Sequence, residues 1–393
     1  MGGLRGTTRA IAFLKIIILA RILSPSEFGL FGIASLILAF LEIFTETGIN
    51  AFLIQEKSNI EKFVNTAWVI SIVRGILISL LLLLSANFLT IFFDAPESKN
   101  LIYLIAVIPF LRGFINPSIV KFQKDLTFNK EFYYKTLSFV IDSGVAIWLA
   151  VTIKSASALV FGMIAGVIVE LFISYLWIKP IPRLSFELDK LKLVLSRGKW
   201  ITLWGILDYF YQHGDDIVVG KLLGTYSLGL YQTAYRVAIL PVSEGGEIFN
   251  KVTFPVYVKI REDGDRLKRV FIKILITVAI FVIPFGLVLV LFPDWFVNTV
   301  LGIKWIEIVP VLPFLAIYAV LRAILGTSQS LFLALKKQKY VVYTLLVALA
   351  GMAIFIVPLV NNYGILGAGI SALLGWLLAI PVIIYFIKKV FKG

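Results

Sequence analysis

The 393-residue sequence predicts an all-α polytopic membrane protein, with about twelve transmembrane helices in two six-helix bundles and both termini cytoplasmic. Three observations predict it. Hydrophobic residues make up 60% of the chain and charged residues only 15%, against roughly 25% charged in a soluble domain, so apolar side chains must face lipid as well as each other. Apolar runs recur at the ~20-residue length of a spanning helix. Lysine and arginine crowd into alternate loops, the pattern of positive residues kept in the cytoplasm.

The apolar runs place spans at 4–22, 29–53, 65–91, 101–120, 134–153, 157–178, 200–222, 228–250, 270–292, 308–333, 341–360 and 366–387. The first apolar stretch, Ile11 to Leu23, is preceded by Arg5 and Arg9, lacks a small-residue cleavage site and is interrupted by Lys15 and Arg21, so it reads as a retained helix, not a cleaved signal peptide. The loops assigned to the cytoplasm hold Lys57 and Lys62, then Lys121, Lys124, Lys130 and Lys135. Further along they hold Lys259, Arg261 and Arg266, then Lys336, Lys337 and Lys339, and at the end Lys388, Lys389 and Lys392. The opposite loops hold only Lys99, Lys154 and Lys304.

The domain organisation expected is an N-terminal bundle over 1–178, a cytoplasmic linker over 179–199 and a C-terminal bundle over 200–393. Pro180 and Pro182 end the sixth helix. Leu184, Phe186, Leu188 and Leu191 then alternate with charged residues, which suits an amphipathic segment on the membrane surface, or a solvated loop with a few anchoring apolar residues. The halves echo each other. Ala20-Arg21-Ile22-Leu23-Ser24-Pro25 through Phe28-Gly29-Leu30-Phe31 precedes Gly220-Lys221-Leu222-Leu223-Gly224 through Leu228-Gly229-Leu230-Tyr231 by 200 residues. Six helices per half make this a parallel repeat, its axis along the membrane normal. Trp68, Trp148, Trp177, Trp295 and Trp305 fall near span ends and read as interface anchors.

Composition excludes several functions. There is no cysteine and His213 is the only histidine, which removes disulfides, thiolate chemistry and histidine metal clusters. No phosphate-binding glycine loop, His-Glu-x-x-His helix or nucleophile constellation is present. The chain is therefore expected not to be an enzyme and to need no cofactor or metal. The net charge of +14 lies in loops between apolar runs, so it orients the protein in a membrane and does not point to nucleic acid. Without a nucleotide site, transport would draw on an ion gradient, the membrane potential or the substrate gradient.

Ionisable residues inside spans are costly and usually face a cavity or a partner. Arg74, Arg112, Arg236 and Arg322 have long apolar or weakly polar flanks, and the guanidinium fork fits phosphate oxygens. They are the substrate-binding candidates, with an anionic headgroup as the ligand that suits them. The alternative is that they pair with Glu42, Asp142 or Glu170 and simply join helices. Gln212, Asp215 and Asp216 extend the candidate site, because they share with Asp208 one side of the most polar stretch in any span. That stretch suits sugar hydroxyls, a coupling proton or Na⁺, or is a water-lined wall without a specific ligand. Asp142 and Asp208 are the ion-coupling candidates, for H⁺ or Na⁺.

The stretches Ile18–Leu30 and Thr47–Gln55, with Asp215-Asp216-Ile217-Val218-Val219-Gly220-Lys221-Leu222-Leu223-Gly224, Leu228–Arg236 and Phe254-Pro255-Val256-Tyr257, resemble a known group. This is the oligosaccharidyl-lipid flippase family of polysaccharide biosynthesis and export, within the multidrug/oligosaccharidyl-lipid/polysaccharide exporter superfamily. The resemblance covers nearly the whole chain. It implies two six-helix bundles around a central cationic cavity in the inner (plasma) membrane. It also implies movement of a polyprenyl-diphosphate-linked oligosaccharide to the outer leaflet by alternating access, for lipopolysaccharide or exopolysaccharide synthesis. The implied partners are the lipid-linked glycan, membrane lipids and the machinery of glycan synthesis and polymerisation. Members often carry fourteen helices, and about twelve are expected here. An ion-coupled multidrug or small-metabolite exporter of the same superfamily is the second reading, in which Asp142, Asp208 and Asp215 form the site.

Overall fold

Apolar runs become helices because a backbone without water partners must satisfy its own N–H and C=O groups. The computed structural model describes residues 2–55, 60–125, 127–185 and 187–392, and of their side chains those outside 2–10, 51, 55, 128, 188–204, 240–241, 243–252 and 392. Among the described residues, eight helices are long and apolar enough to cross a membrane, or nine if the bent pair Ser98–Gly113 and Pro117–Lys124 is one span. The protein is all-α and polytopic. It forms two compact units, Gly3–Gly214 and Asp215–Gly393.

In the first unit, α1 (Gly2–Ile22) is followed closely by α2 (Pro25–Phe44). Ser24 is extended, its hydroxyl accepts from the Glu27 amide at 3.4 Å, and Pro25 opens the helix; a Ser cap before proline is a helix-start signal. The Glu27 carboxylate also accepts from the Ala156 amide. The run expected as one span over 29–53 is divided, because α3 (Ile49–Gln55) begins after a break at 45–48. The Thr45 hydroxyl bonds back to the Leu41 carbonyl at 2.6 Å, the Glu46 carboxylate accepts from the Gly48 amide at 2.9 Å, and Gly48 has φ 67°. Local side-chain bonds of this kind compete with the helical ladder.

After α4 (Glu61–Phe92), the expected span over 101–120 is also broken. It consists of α5 (Ser98–Ile105), α6 (Val107–Gly113), a 3-10 turn at Pro117–Val120 and α7 (Lys121–Lys124), with a 73° bend. Pro117 disfavours helical geometry at the preceding residue, and Asn116 is extended with ψ 115°. The freed groups find partners. The Phe114 carbonyl accepts from Trp68 Nε1 at 3.1 Å and from the Tyr175 hydroxyl at 2.7 Å. Asn116 Nδ2 donates to the Ser174 carbonyl at 3.2 Å and to that of Pro180 at 3.1 Å, while its Oδ1 accepts from the Ser118 amide at 2.9 Å. This ties the bend to the end of α9 (Ser157–Leu176), which pairs with α8 (Phe128–Ile153). Gly75 of α4 and Gly113 of α6 allow those helices to approach closely: a Cβ on Gly113 would lie 2.9 Å from the Ser71 carbonyl oxygen.

Across the unit boundary runs α10 (Leu188–Ile260), helical except at Gly224, where φ is 79° and ψ −175°. Residues sixteen apart on a straight helix are about 24 Å apart. Yet the Tyr231 hydroxyl donates to Asp215 at 2.6 Å, so the chain reverses at Gly224. This break is the counterpart of Ser24 in the 200-residue echo.

The second unit continues with α11 (Gly264–Leu291), capped by Asp263 accepting from the Arg266 amide at 2.9 Å. Then come α12 (Pro293–Phe296), a π turn, a 3-10 turn at Ile303–Ile308, α13 (Leu312–Ala334), α14 (Gln338–Tyr363) and α15 (Ile365–Lys392). Helix pairing repeats within each unit: α4 with α6 and α8 with α9, then α11 with α13 and α14 with α15. Two tryptophans depart from the anchor role. Trp305 is fully buried, and Trp68 turns inward to the Phe114 carbonyl, whereas Trp148, Trp177 and Trp295 are exposed. In the linker, Phe186 and the side chains from Leu188 onward lie outside what the structure describes.

Candidate functional site

Charged side chains gather near the end of α2 and near the bend that follows α6. Glu42 comes from the last turns of α2, Arg74 from α4 and Arg112 from α6. Arg74 Nε donates to the Thr45 hydroxyl at 3.1 Å, its NH2 group donates to the Glu42 carbonyl, and it forms an ion pair with Glu46 at 3.2 Å. Arg112 pairs with the Glu42 carboxylate at 2.6 Å. Both arginines line one cavity of about 190 Å³, with Glu42, Asn50 and Ser71. The Arg74 and Arg112 side chains remain 25% and 40% exposed, so neither guanidinium is packed away inside the unit. A second cavity of about 260 Å³, lined by Gln123, Glu131, Tyr134, Lys135 and Glu170, adjoins it by sharing Asn50, Ile115 and Ile119.

Asp142 of α8 lies apart from these arginines. Lys15 of α1 donates to both its carboxylate oxygens at 2.8 Å and lies over the Phe139 ring. Gly162 and Gly166 form the notch that Asp142 fills, since a Cβ on Gly162 would lie 2.7 Å from Asp142 Oδ1. On α10, Gln212 Nε2 donates to Asp208 at 2.6 Å. The neighbouring Tyr209 fixes this stretch on α2, with its hydroxyl on the Leu36 carbonyl at 2.8 Å and its ring 5.4 Å from Phe40.

In the second unit, Asp215 and Asp216 are buried. The reversal at Gly224 brings Tyr231 onto Asp215, and the Asp216 amide donates to Asp215 at 3.0 Å. Asp216 acts electrostatically on Arg236. Arg322 of α13 donates to the hydroxyls of Tyr235 at 3.0 Å and Tyr318 at 3.1 Å. The sequence-selected residues thus sort into Arg74 with Arg112, Asp208 with Gln212, Asp215 with Asp216 and Arg236, and Arg322 with its phenols, while Asp142 stands with Lys15. Sequence reasoning missed Thr45, Tyr231, Tyr235 and Tyr318. The i,i+4 spacings Tyr231–Tyr235 and Tyr318–Arg322 were the available signal. Among the described residues, no group of three or more His, Cys, Asp or Glu is placed to hold a metal ion.

Residues 18–310 match the family described as polysaccharide biosynthesis protein. The lipopolysaccharide biosynthesis protein WzxC of Escherichia coli (strain K12) is 28% identical over 336 residues, 82% of this chain and 66% of WzxC. The chain thus spans about two thirds of that relative's length. Among solved structures, the lipid II flippase MurJ in its inward closed conformation superposes with a TM-score of 0.81 at 16% identity, over 99% of this chain and 88% of that one. An inward-facing multidrug resistance MATE family transporter of the MOP superfamily gives 0.74 at 15% identity, over 98% and 95%. At these identities the two structures share a fold with this chain.

Proposed function

The chain belongs to the polysaccharide biosynthesis protein family, as a multi-pass protein of the inner (plasma) membrane, and from that premise we propose that it is a flippase and not an enzyme. It would carry a polyprenyl-diphosphate-linked oligosaccharide from the cytoplasmic to the outer leaflet, for cell-surface polysaccharide synthesis. The architecture proposed with this function is twelve spans in two six-helix bundles, 1–178 and 200–393, related by a parallel repeat and joined by the 179–199 linker, with both termini cytoplasmic.

One observation carries the reading: Arg74 and Arg112 line a single cavity and remain partly exposed. A diphosphate replaces Glu46 and Glu42 as their partner, because the guanidinium fork donates to phosphate oxygens as readily as to carboxylate. Arg236 and Arg322 supply positive charge in the second unit, and Gln212, Asp215 and Asp216 meet polar groups of the headgroup. Rocking of the bundles exposes the headgroup to each side in turn, while the isoprenoid stays in the bilayer. A membrane potential negative inside favours outward movement of an anion by about 2.3 kcal/mol per charge per 100 mV. Of the two ion-coupling candidates, Asp142 is already paired with Lys15, so coupling to H⁺ or Na⁺ through Asp208 would add to it. Glycan synthesis and polymerisation machinery supplies and consumes the lipid.

The exporter reading needs Asp142, Asp208 and Asp215 to hold a cation. Lys15 already supplies a cation to Asp142, at 2.8 Å and with both side chains near 12% exposed, which favours the flippase. The test is reconstitution in vesicles, comparing translocation of a fluorescently labelled lipid-linked glycan with efflux of ethidium. Glycan movement without ethidium efflux is expected; the reverse would reject the proposal.

A further inference from the structure

The first unit holds a carboxylate beyond those its ion pairs use. Arg74 pairs with Glu46, Arg112 with Glu42, Lys15 with Asp142 and Lys135 with Glu131, at 3.2, 2.6, 2.8 and 3.0 Å. Glu170 of α9 stands outside these four pairs and faces the cavity that adjoins the arginine site. The groups that face it are Arg112 from α6, Gln123 from α7, and Glu131, Tyr134, Lys135, Ser138 and Asp142 from or near α8.

Its hydrogen bonding is informative. Ser138 Oγ lies 2.9 Å from the Gly166 carbonyl oxygen and 3.3 Å from Glu170 Oε1. A hydroxyl has one proton to donate, and the carbonyl at 2.9 Å can only accept it. The serine oxygen therefore keeps a lone pair towards Glu170, ready to accept a hydrogen bond once a proton is added to that carboxylate. Charge argues the same way. A phosphate-bearing headgroup on Arg112 adds negative charge beside Glu170, and like charges in a poorly solvated cavity repel strongly.

We propose that Glu170 is a proton-binding site, and that it takes up one proton when a phosphate-bearing headgroup occupies the Arg74–Arg112 cavity. The proton comes from the aqueous phase and is held on the Glu170 carboxyl; no other bond forms or breaks. This rests on the reading that Arg74 and Arg112 bind phosphate. By linkage, binding of the anion weakens as pH rises, approaching tenfold per pH unit where one proton is taken up.

The full-length protein and Glu170→Gln, an isosteric change, are compared with inorganic pyrophosphate as the probe. Elution as a single folded species confirms that both are intact. Calorimetry in buffers of different ionisation heat counts the protons taken up, and the probe's own titration is common to both proteins. Wild type is expected to take up about one proton more than Glu170→Gln per pyrophosphate bound. Infrared difference spectra of the unliganded protein should show a titrating carboxyl C=O band that Glu170→Gln removes. Equal proton counts, or no such band, overturn the role of Glu170 and leave the arginine site standing. A titrating band with no pyrophosphate binding at any pH overturns the phosphate site, and the linkage with it.

Discussion

Replacing Asn116 tests how the broken fourth span is held. Its side chain is fully buried. It donates to the Ser174 and Pro180 carbonyls at 3.2 and 3.1 Å and accepts from the Ser118 amide at 2.9 Å. In Asn116→Ala the two neutral donor bonds vanish, each worth about 1 kcal/mol, and the Ser118 amide is left without its bond for a further 1 kcal/mol or more. The Pro180 carbonyl keeps one partner, the Ser118 hydroxyl at 3.0 Å. The expected loss is about 3 kcal/mol, or roughly 6–12 °C in thermal midpoint for a unit of this size. Asn116→Asp keeps the acceptor for Ser118 but turns an anionic oxygen towards the two carbonyls, so it should cost more than alanine. Thermal unfolding in detergent, followed by tryptophan fluorescence, reads both. An alanine variant as stable as wild type, or an aspartate variant no worse than alanine, refutes the clamp.

Three further outcomes follow from the geometry. Gly224→Ala should cost about 1–3 kcal/mol, because φ 79° with ψ −175° is a glycine conformation while the space around it is open; thermal unfolding reads the loss, and an unchanged midpoint contradicts the reversal drawn at this residue. Gly75→Ala should cost a similar amount by the opposite cause, since its Cβ would strike the Pro109 carbonyl oxygen and lie 3.1 Å from Gly113 Cα; Gly144→Ala, with open space at its Cβ, is the control. Tyr231→Phe should cost about 1.5–3 kcal/mol, because the Asp215 carboxylate it serves is only 3% exposed; equal denaturation midpoints for variant and wild type count against it.

Much of the fold is legible in the sequence because lipid imposes a length that composition records directly. The α8–α9 and α14–α15 hairpins lie where the apolar runs put them, and the turns at Ser24 and Gly224 fall at matched positions of the echo. The breaks within spans are not legible in this way. The one after Phe44 depends on Thr45 and Glu46 bonding to nearby backbone, and the one at Asn116 on donors from Trp68 and Tyr175, far away in sequence. An apolar-run criterion passes over both. The candidate site was half legible. Rare arginines in apolar flanks stand out, but the choice between cavity and helix-joining pair depends on three-dimensional neighbours. Arg112 shows both at once, lining a cavity while bonded to Glu42. The phenols around Arg322 and the partnership of Lys15 with Asp142 follow from packing that one chain's pattern does not encode.

In the function proposed here, guanidinium groups lodged among membrane helices hold the phosphates of the lipid-linked glycan during translocation. Lipid-linked glycan flipping is measured with Arg74→Gln and Arg236→Gln combined, at wild-type protein level and fold. Transport should be lost while the protein stays intact; undiminished flipping by the double variant would show that these guanidinium groups do not hold the phosphates.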